Sequence, residues 1–551
     1  MSKFHSLPEV FKDPLHNSCG IVVRGSGWAA RRLFAANCRA IGKKNNVADR
    51  PSPRIHRPQG VMQIVLKPLA LAATVFVAGC SMIPAYERPA APISANYPAA
   101  PGTGSSALAT TPAAAGAQAA SGVAWQDFFA DAQLKRLIDL ALVNNRDLRV
   151  AVLNIEQARA QYQIRRADQF PTINGVASGS RTPNASGGIT SLYSAGLQAT
   201  AYELDFFGRV SSLKEAALNQ YLATEEGRKT TQITLIASVA NAYLSLLADD
   251  ELLDITRQTL ASREESIRLS KLRFDNGVTS ELDFRQAESL VEAARAAYAQ
   301  QQRQRALDEN LLTLLVGSPL AGELPVASTP ALSLAQMQPM VDVPAGLPSE
   351  LLTSRPDIRQ AEQQLLSANA NIGAARAAFF PKISLTVGAG TASNQLSGLF
   401  KSGAWGWTLA PQLVLPIFDF GRNQAGLDTS KASRDIAVAQ YEKAIQTAFR
   451  EVADALASRA TLAEQLRASQ AQANAETTRL KLSDLRYQNG VASYLDLLDA
   501  QRSLFTARQA VVQTRLAQLQ SQVGLYRALG GGWTEPGAVG VSLSEAPAAR
   551  P

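Results

Sequence analysis

Apolar residues recur along the chain with two different periods, and the switches between them mark out its elements. Residues 125–145 carry Leu134, Leu137, Ile138 and Ala141 at helical spacing, the stripe of a short amphipathic helix. Residues 147–169 are rich in Ala, Gln and Arg and predict a second helix, ended by Phe170-Pro171. From 172 to about 204 the period becomes two, and a Gly/Ser/Asn loop over 182–188 divides the stretch into two strands. Residues 208–272 then form a long helical run without proline. Ile233, Ile236, Ala240, Tyr243 and Leu247 step along it by three and four, predicting a coiled-coil seam rather than a broad globular face. About sixty-five residues at 1.5 Å each predict a rod of roughly 100 Å. Asn276-Gly277 reverses it, residues 280–316 return, and 319–348 is proline-rich and irregular.

The same order then repeats. Arg146-Asp147-Leu148-Arg149 is similar to Arg355-Pro356-Asp357-Ile358-Arg359, and Phe170-Pro171 returns as Phe380-Pro381. Ile383, Leu385 and Val387 alternate with Ser384, Thr386 and Gly388, and Trp405, Trp407, Leu409, Leu413, Leu415 and Ile417 fall on one face of the following strand. The corner Phe207-Gly208-Arg209 matches Phe420-Gly421-Arg422, and the turn at Gly277-Val278 matches Gly490-Val491, with Leu282 matching Leu495. Each repeat is thus helix, strand pair, long helix, hairpin tip and return helix. Residues 123–345 are expected as the first repeat, 346–535 as the second, and 536–551 as a disordered tail.

Composition narrows the chemistry. The formal net charge of +8 resides entirely in residues 1–61, which hold eleven Lys or Arg against three Asp or Glu, leaving 43 of each sign in the rest. The body is therefore neutral and carries no nucleic-acid signature. All three histidines (His5, His16, His56) lie in that leader, and no Cys follows Cys80. This excludes His/Cys metal sites, disulfides and Cys- or His-based catalysis from the body. No enzyme, cofactor or metal is expected.

Residues 62–80 contain Lys67, an apolar run over 69–77 too short to span a bilayer, and Val77-Ala78-Gly79-Cys80, which resembles a bacterial lipobox. That resemblance implies a signal peptide over 62–79, lipidation of Cys80 and an extended Pro/Ala/Ser/Gly arm over 80–122. Residues 1–61 are then expected to be a non-native extension from a misplaced start, with translation beginning at Met62.

Four strands of transmembrane length cannot close a barrel in lipid, since the smallest bacterial barrels have eight. If the strands enter a membrane, several chains share one barrel. At this point the lipobox, both Phe-Gly-Arg corners and both Tyr/Phe-x-x-Gly-Val-x-Ser-x-Leu-Asp tips resemble the outer membrane factor family of TolC-like channels, and within it the lipidated OprM/NodT-type branch. The resemblance implies a mainly α fold with a transmembrane β portion. Three chains would form a twelve-stranded barrel in the outer membrane, a long coiled-coil α-barrel in the periplasm, and an equatorial domain drawing on 319–348 and both chain ends. It implies a passive exit duct for drugs or other small molecules, partnered by a periplasmic adaptor, an inner-membrane pump of RND type and outer membrane lipid. An exit duct for type I protein secretion, and a non-channel coiled-coil lipoprotein, remain as alternatives.

The second tip carries the candidate gate. Ser493 can cap its return helix, and Leu495, Asp499 and Arg502 share one helical face with Asp496 beside them. Under threefold symmetry Leu495 becomes an apolar ring and Asp496 and Asp499 become carboxylate rings, which favour cations. Arg502, three residues from Asp499, can pair with it in the same or a neighbouring chain. The resemblance implies that the Tyr487 hydroxyl ties the inner hairpin to the outer one through Asp283, and that the adaptor meets Gly277, Val278, Gly490 and Val491. Gln286 and Ser289 replace Asp499 and Arg502 in the first copy, so the hairpins are not equivalent.

Overall fold

The computed structural model describes residues 81–98, 122–183, 185, 187–320, 334–337, 340–344, 346 and 348–533. The expectations for residues 1–79, Cys80 and 536–551 lie outside the described residues.

The duplication is exact in length for two pairs of helices. After the short helices α1 (Trp125–Phe128) and α2 (Ala132–Asn144) come α3 (Arg146–Ala167), β1 (Ile173–Pro183), β2 (Ile189–Glu203), α4 (Arg209–Asp275) and α5 (Glu281–Val316). The second round comprises α6 (Leu351–Ser354), α7 (Pro356–Ala377), β3 (Lys382–Ser393), β4 (Trp405–Val414), α8 (Arg422–Gln488) and α9 (Tyr494–Ala528). The helices α3 and α7 both have 22 residues, and α4 and α8 both have 67. Local chemistry sets the starts. Asp131 caps α2 by accepting from the Leu134 amide, Asn145 caps α3 through Leu148, and Pro356 occupies the first turn of α7.

The core gathers where α4 passes α2, α3, α5, α7 and α9. Leu134, Leu137, Ile138 and Ala141 of α2 are all buried there, as the periodicity predicts. Phe128 stacks on Tyr526 at 4.0 Å, and the Tyr526 hydroxyl donates to the Val123 carbonyl, so both ends of the body meet in one cluster. Leu320, Leu334, Met340 and Val343 from the irregular segment join it.

One expectation needs correcting. The seam residues Ile233 to Leu247 are buried, but so are Leu235, Ala237, Val239, Ala242, Leu244 and Leu246, so this stretch of α4 buries a broad face and leaves open only the polar stripe of Thr234, Ser238, Asn241 and Ser245. Several packing helices, rather than one coiled-coil partner, explain the burial. A heptad seam does exist further along, where Asp249, Thr256, Arg263 and Ser270 are the buried positions. Those four residues are polar, which hid the seam from a hydrophobic pattern.

The strands form one antiparallel sheet in the order β1-β2-β3-β4, so β1 and β4 are both unpaired edges within the chain. Its register sorts the side chains by face. One transverse row reads Ile173, Ala199, Val387, Leu409, and the next reads Asn174, Gln198, Gly388, Thr408. Alternate residues point to opposite faces, so one face is apolar and the other polar. Ser178 and Ser194 hydrogen-bond on the polar face at 2.8 Å. On the apolar face Trp405, Trp407, Leu409 and Leu413 are all more than half exposed, the inverse of a soluble sheet. Leu415 and Ile417 continue the pattern beyond the end of β4.

Candidate functional site: the paired hairpin tips

Both long helices end in the same turn. Gly277 and Gly490 have φ of 69° and 70°, which only glycine adopts without strain. Their amides donate to the carbonyls of Phe274 and Tyr487, and the amides of Val278 and Val491 donate to those of Arg273 and Arg486. This double bond pattern is a Schellman motif, closing the last carbonyls of the helix. Val278 and Val491 are left exposed at 74% and 67%.

The return helices begin with matching caps. The Ser280 hydroxyl accepts from the Asp283 amide and donates to its carboxylate, and Ser493 does the same with Asp496. In the second copy the Asp496 carboxylate also accepts from the Ser493 amide, completing a capping box. Asp283 takes a further bond from Thr279. These contacts bear on two expectations. Asp496 is engaged by its own helix start while remaining exposed, and Asp283 is occupied by Thr279 and Ser280 rather than by Tyr487.

The two hairpins are nonetheless tied, by a residue that sequence reasoning missed. Arg273, on the last turn of α4, donates to the Tyr487 hydroxyl at 2.5 Å and lies 5.1 Å from the centre of its ring. The Tyr487 ring also sits 5.3 Å from that of Tyr494, whose hydroxyl is buried with no hydrogen-bond partner. Burial, then the neighbouring Tyr487 and Asp283, push the Tyr494 hydroxyl up to about 12.

Leu495, Asp499 and Arg502 do share an exposed face of α9, opposite the buried Leu497, Leu498, Ala500 and Leu504. Within the chain, however, Asp499 pairs with Arg479 of α8 at 2.5 Å, not with Arg502. Arg479 also donates to Glu476 and Ser503. Residues equidistant from a helical turn face each other, and 479 and 499 lie almost symmetrically about Gly490; that symmetry was the available signal. Arg502 is exposed, with no carboxylate in ion-pair range among the described residues. Arg263 is buried near it, donating to the Leu290 carbonyl and lying over Phe505. Burial, then Arg502, hold the Arg263 guanidinium below its ordinary range.

At the sheet-to-helix corners the copies also diverge. Gly208 and Gly421 both take left-handed backbone, with φ of 71° and 84°. Phe207 stacks on Phe380 at 4.8 Å, and Arg209 grips Glu203 with two bonds of 2.7 Å. Phe420 is fully exposed, and Arg422 lacks the equivalent acid because Pro416 stands 213 residues after Glu203. Asp419 accepts from the Gly421 and Asn423 amides at the start of α8, as Asp205 accepts from the Ser211 amide at the start of α4. Among the described residues no cluster of three His, Cys, Asp or Glu side chains could hold a metal ion.

Known proteins share this architecture. The family model described as outer membrane efflux protein matches residues 137–318 and 347–531. The toluene efflux pump outer membrane protein TtgC of Pseudomonas putida is 49% identical over 475 residues, covering 85% of this chain and 96% of that protein. The outer membrane protein OprJ of Pseudomonas aeruginosa is 46% identical over 473 residues, covering 85% and 96%. The open-state structure of the MtrE outer membrane channel of Neisseria gonorrhoeae superposes with a TM-score of 0.72 at 42% identity, covering 82% of this chain and 99% of that one. With matching repeats, two-faced strands and paired tips in one order, the chain belongs to the outer membrane efflux protein family.

Proposed function

We propose that three copies of this chain form the outer membrane exit duct of a tripartite efflux system, closed at its periplasmic end by the paired hairpin tips. The observation that carries the reading is the sheet. Its apolar face is exposed, its opposite face is polar, and both edges are open. An open edge in lipid leaves backbone groups unsatisfied, so β4 of one copy pairs with β1 of the next, and three copies close twelve strands around a polar lumen.

The duct is passive and catalyses no reaction. A periplasmic adaptor and an inner-membrane pump deliver cargo to it, and small apolar or amphipathic molecules, toluene among them, are the class to test first. Cys80 carries the lipid after removal of a signal peptide over 62–79, and 123–345 and 346–535 are the two repeats.

In the resting tip, the Arg273–Tyr487 contact holds the second hairpin to the first, and the Arg479–Asp499 pair holds α9 to α8. Leu495 forms the apolar constriction. Arg502, with no carboxylate in ion-pair range among the described residues, is available to a neighbouring copy. Adaptor contact at Gly277, Val278, Gly490 and Val491 breaks the links and lets the tips part. Ion conductance of purified protein in planar bilayers, with heat-resistant trimers on detergent gels, tests the channel; monomers without conductance would overturn it.

A further inference from the structure

Within one chain the two repeats meet along α4, and that seam has a pattern that can be followed residue by residue. Ser212, Ala216, Asn219, Ala223 and Glu226 form a buried stripe, stepping by four and three. Its partner is α7, which runs antiparallel. Gly373 makes room for the Ser212 hydroxyl, Ser367 donates to the Ala216 carbonyl at 2.9 Å, Gln360 lies beside Gly227, and Arg359 pairs with Glu226 at 2.9 Å. On the other flank of α4 stands α9, where Gln520 donates to the Ser245 hydroxyl at 3.2 Å and Arg527 lines a small cavity with Thr230 and Thr234. At the head of the seam Phe207 stacks on Phe380.

Every element of this seam has a duplicate, and within the chain the duplicates do not meet. The positions 213 later on α8 are Ala425, Thr429, Ala432, Ile436 and Ala439, all exposed. The helix α4 packs against both repeats, α3 and α5 of its own and α7 and α9 of the other, whereas α8 packs chiefly against α7 and α9 of its own. The duplicates of α7 and α9 are α3 and α5. Gln360, Gln363 and Ser367 share the α4-facing side of α7, and Val150, Leu153 and Gln157, 210 positions earlier on α3, are all exposed. Leu307, Leu311 and Leu314, 213 positions before Gln520, Gly524 and Arg527, form an exposed apolar stripe on α5. Phe420 and Phe170, the duplicates of Phe207 and Phe380, are exposed as well.

The chemistry of the two sets of positions differs. The internal seam is fastened by charge, through Arg359–Glu226 and, at the sheet, Lys382–Glu203 at 3.1 Å. The matched positions hold Arg149 with Ala439, and Thr172 with Pro416, so neither ion pair has a duplicate. In place of Ala223 and Gln363, which the contacts of the internal seam bracket from both sides, the duplicates offer Ile436 and Leu153, 59% and 50% exposed. Apolar side chains of this size left in water on two matching faces mark surfaces that another chain covers.

We propose that α8 of one copy lies between α3 and α5 of the next copy in the register that α4 keeps between α7 and α9, with Ile436 against Leu153 and Phe420 stacked on Phe170 of that copy. The Leu307, Leu311 and Leu314 stripe of the next copy covers the other flank of α8. This register rests on the trimeric duct, and it continues below the membrane the pairing of β4 with β1. The seam between copies is apolar where the seam within each copy is ionic, so added salt leaves the copies joined.

Outer membranes carrying the full chain with Leu153→Cys and Ile436→Cys, treated with a short bismaleimide, test the register. Covalent dimers and trimers on denaturing gels are expected, with a crosslinked peptide pair holding positions 153 and 436. Ile164→Cys with Ile436→Cys, displaced along α3 by roughly 16 Å, is expected to crosslink about tenfold less. Native trimers without the 153–436 link, an intrachain link, or equal yields from the two pairs overturn the register and leave the duct standing. Wild-type protein that forms no native trimer overturns both. A second measurement needs no cysteine. Phe170→Ala and Phe420→Ala are each expected to lower the temperature at which trimers dissociate, and the double variant to lower it no further than either, because each removes the same contact. Additive losses overturn the aromatic pairing.

Discussion

Arg273 donates to the hydroxyl of Tyr487 and covers the same ring, joining residues 214 positions apart at the ends of the two longest helices. Such a contact combines a charge-assisted hydrogen bond with a cation–π contact, and at an exposed tip it stabilises the paired state by about 1 kcal/mol. Three symmetric copies amount to about a hundredfold in the balance between paired and parted tips. Tyr487→Phe keeps the ring and loses the bond, so channel opening is expected to rise less than in Arg273→Ala. Equal effects in single-channel recordings would show that the hydroxyl contributes nothing.

Asp496 and Asp499 are three residues apart on α9 but are used differently, and their variants separate the roles. Asp496→Ala keeps the Ser493 cap but removes the return half of the capping box, loosening the start of α9. It is expected to increase protease cleavage around 489–496 while leaving the conductance of intact channels nearly unchanged. Asp499→Asn frees Arg479 and is expected to raise opening without increasing cleavage. Reversing the pair, with Arg479→Asp and Asp499→Arg together, is expected to restore closure. The exposed pair is screened, so its effect weakens with added salt.

The first position of the polar seam predicts a pH dependence. Asp249 is buried, accepts from Gln301, and has one carboxylate oxygen without a partner. Burial first, then the neighbouring Asp308 and Asp250, raise it to about 7. Nearby Arg305 is engaged by Asp250 and Glu309. A carboxyl raised in the folded state binds its proton more tightly there than in the unfolded chain. Stability is therefore greatest below the ordinary aspartate range and is lost as pH climbs from about 4 to about 7. The thermal unfolding temperature of the assembled protein is expected to fall as pH rises from about 4 to about 7, and Asp249→Asn to flatten that slope. A variant as pH-sensitive as the wild type would contradict the assignment to Asp249.

The sheet makes a prediction that turns on one residue step. Leu409 and Thr408 are adjacent in β4 but belong to the apolar and polar rows respectively. Arginine on a lipid-facing strand costs about 2–4 kcal/mol near the bilayer midplane, whereas a lumen position is wet. Leu409→Arg is expected to deplete heat-resistant trimers in the outer membrane. Thr408→Arg is expected to assemble normally and reduce cation conductance. The opposite outcome would invert the faces.

The elements most legible in the sequence were those with long, consistent periods. Helix and strand alternation, the repeat offsets and the Asn-Gly turns emerge from local rules, and the structure places α2, both strand pairs and both tips close to the predicted positions. What stayed hidden depended on partners from distant segments. The broad burial of α4 around Ile233 to Leu247 required several neighbours that no local pattern specifies. The lower seam escaped notice because Asp249, Thr256, Arg263 and Ser270 carry no hydrophobic signal. At the tip, Ser493 as a cap was legible, but its claim on Asp496, and the claims of Thr279 and Ser280 on Asp283, left Tyr487 to Arg273.

The measurement that bears most directly on the gated duct is planar-bilayer conductance of the wild-type trimer beside Arg273→Ala with Arg479→Ala. Removing both intrachain links is expected to convert a small, infrequently open conductance into one several-fold larger and persistently open, with trimers intact on gels. Indistinguishable conductance in the two proteins, or no ion flow through either, would contradict a channel closed by its paired tips.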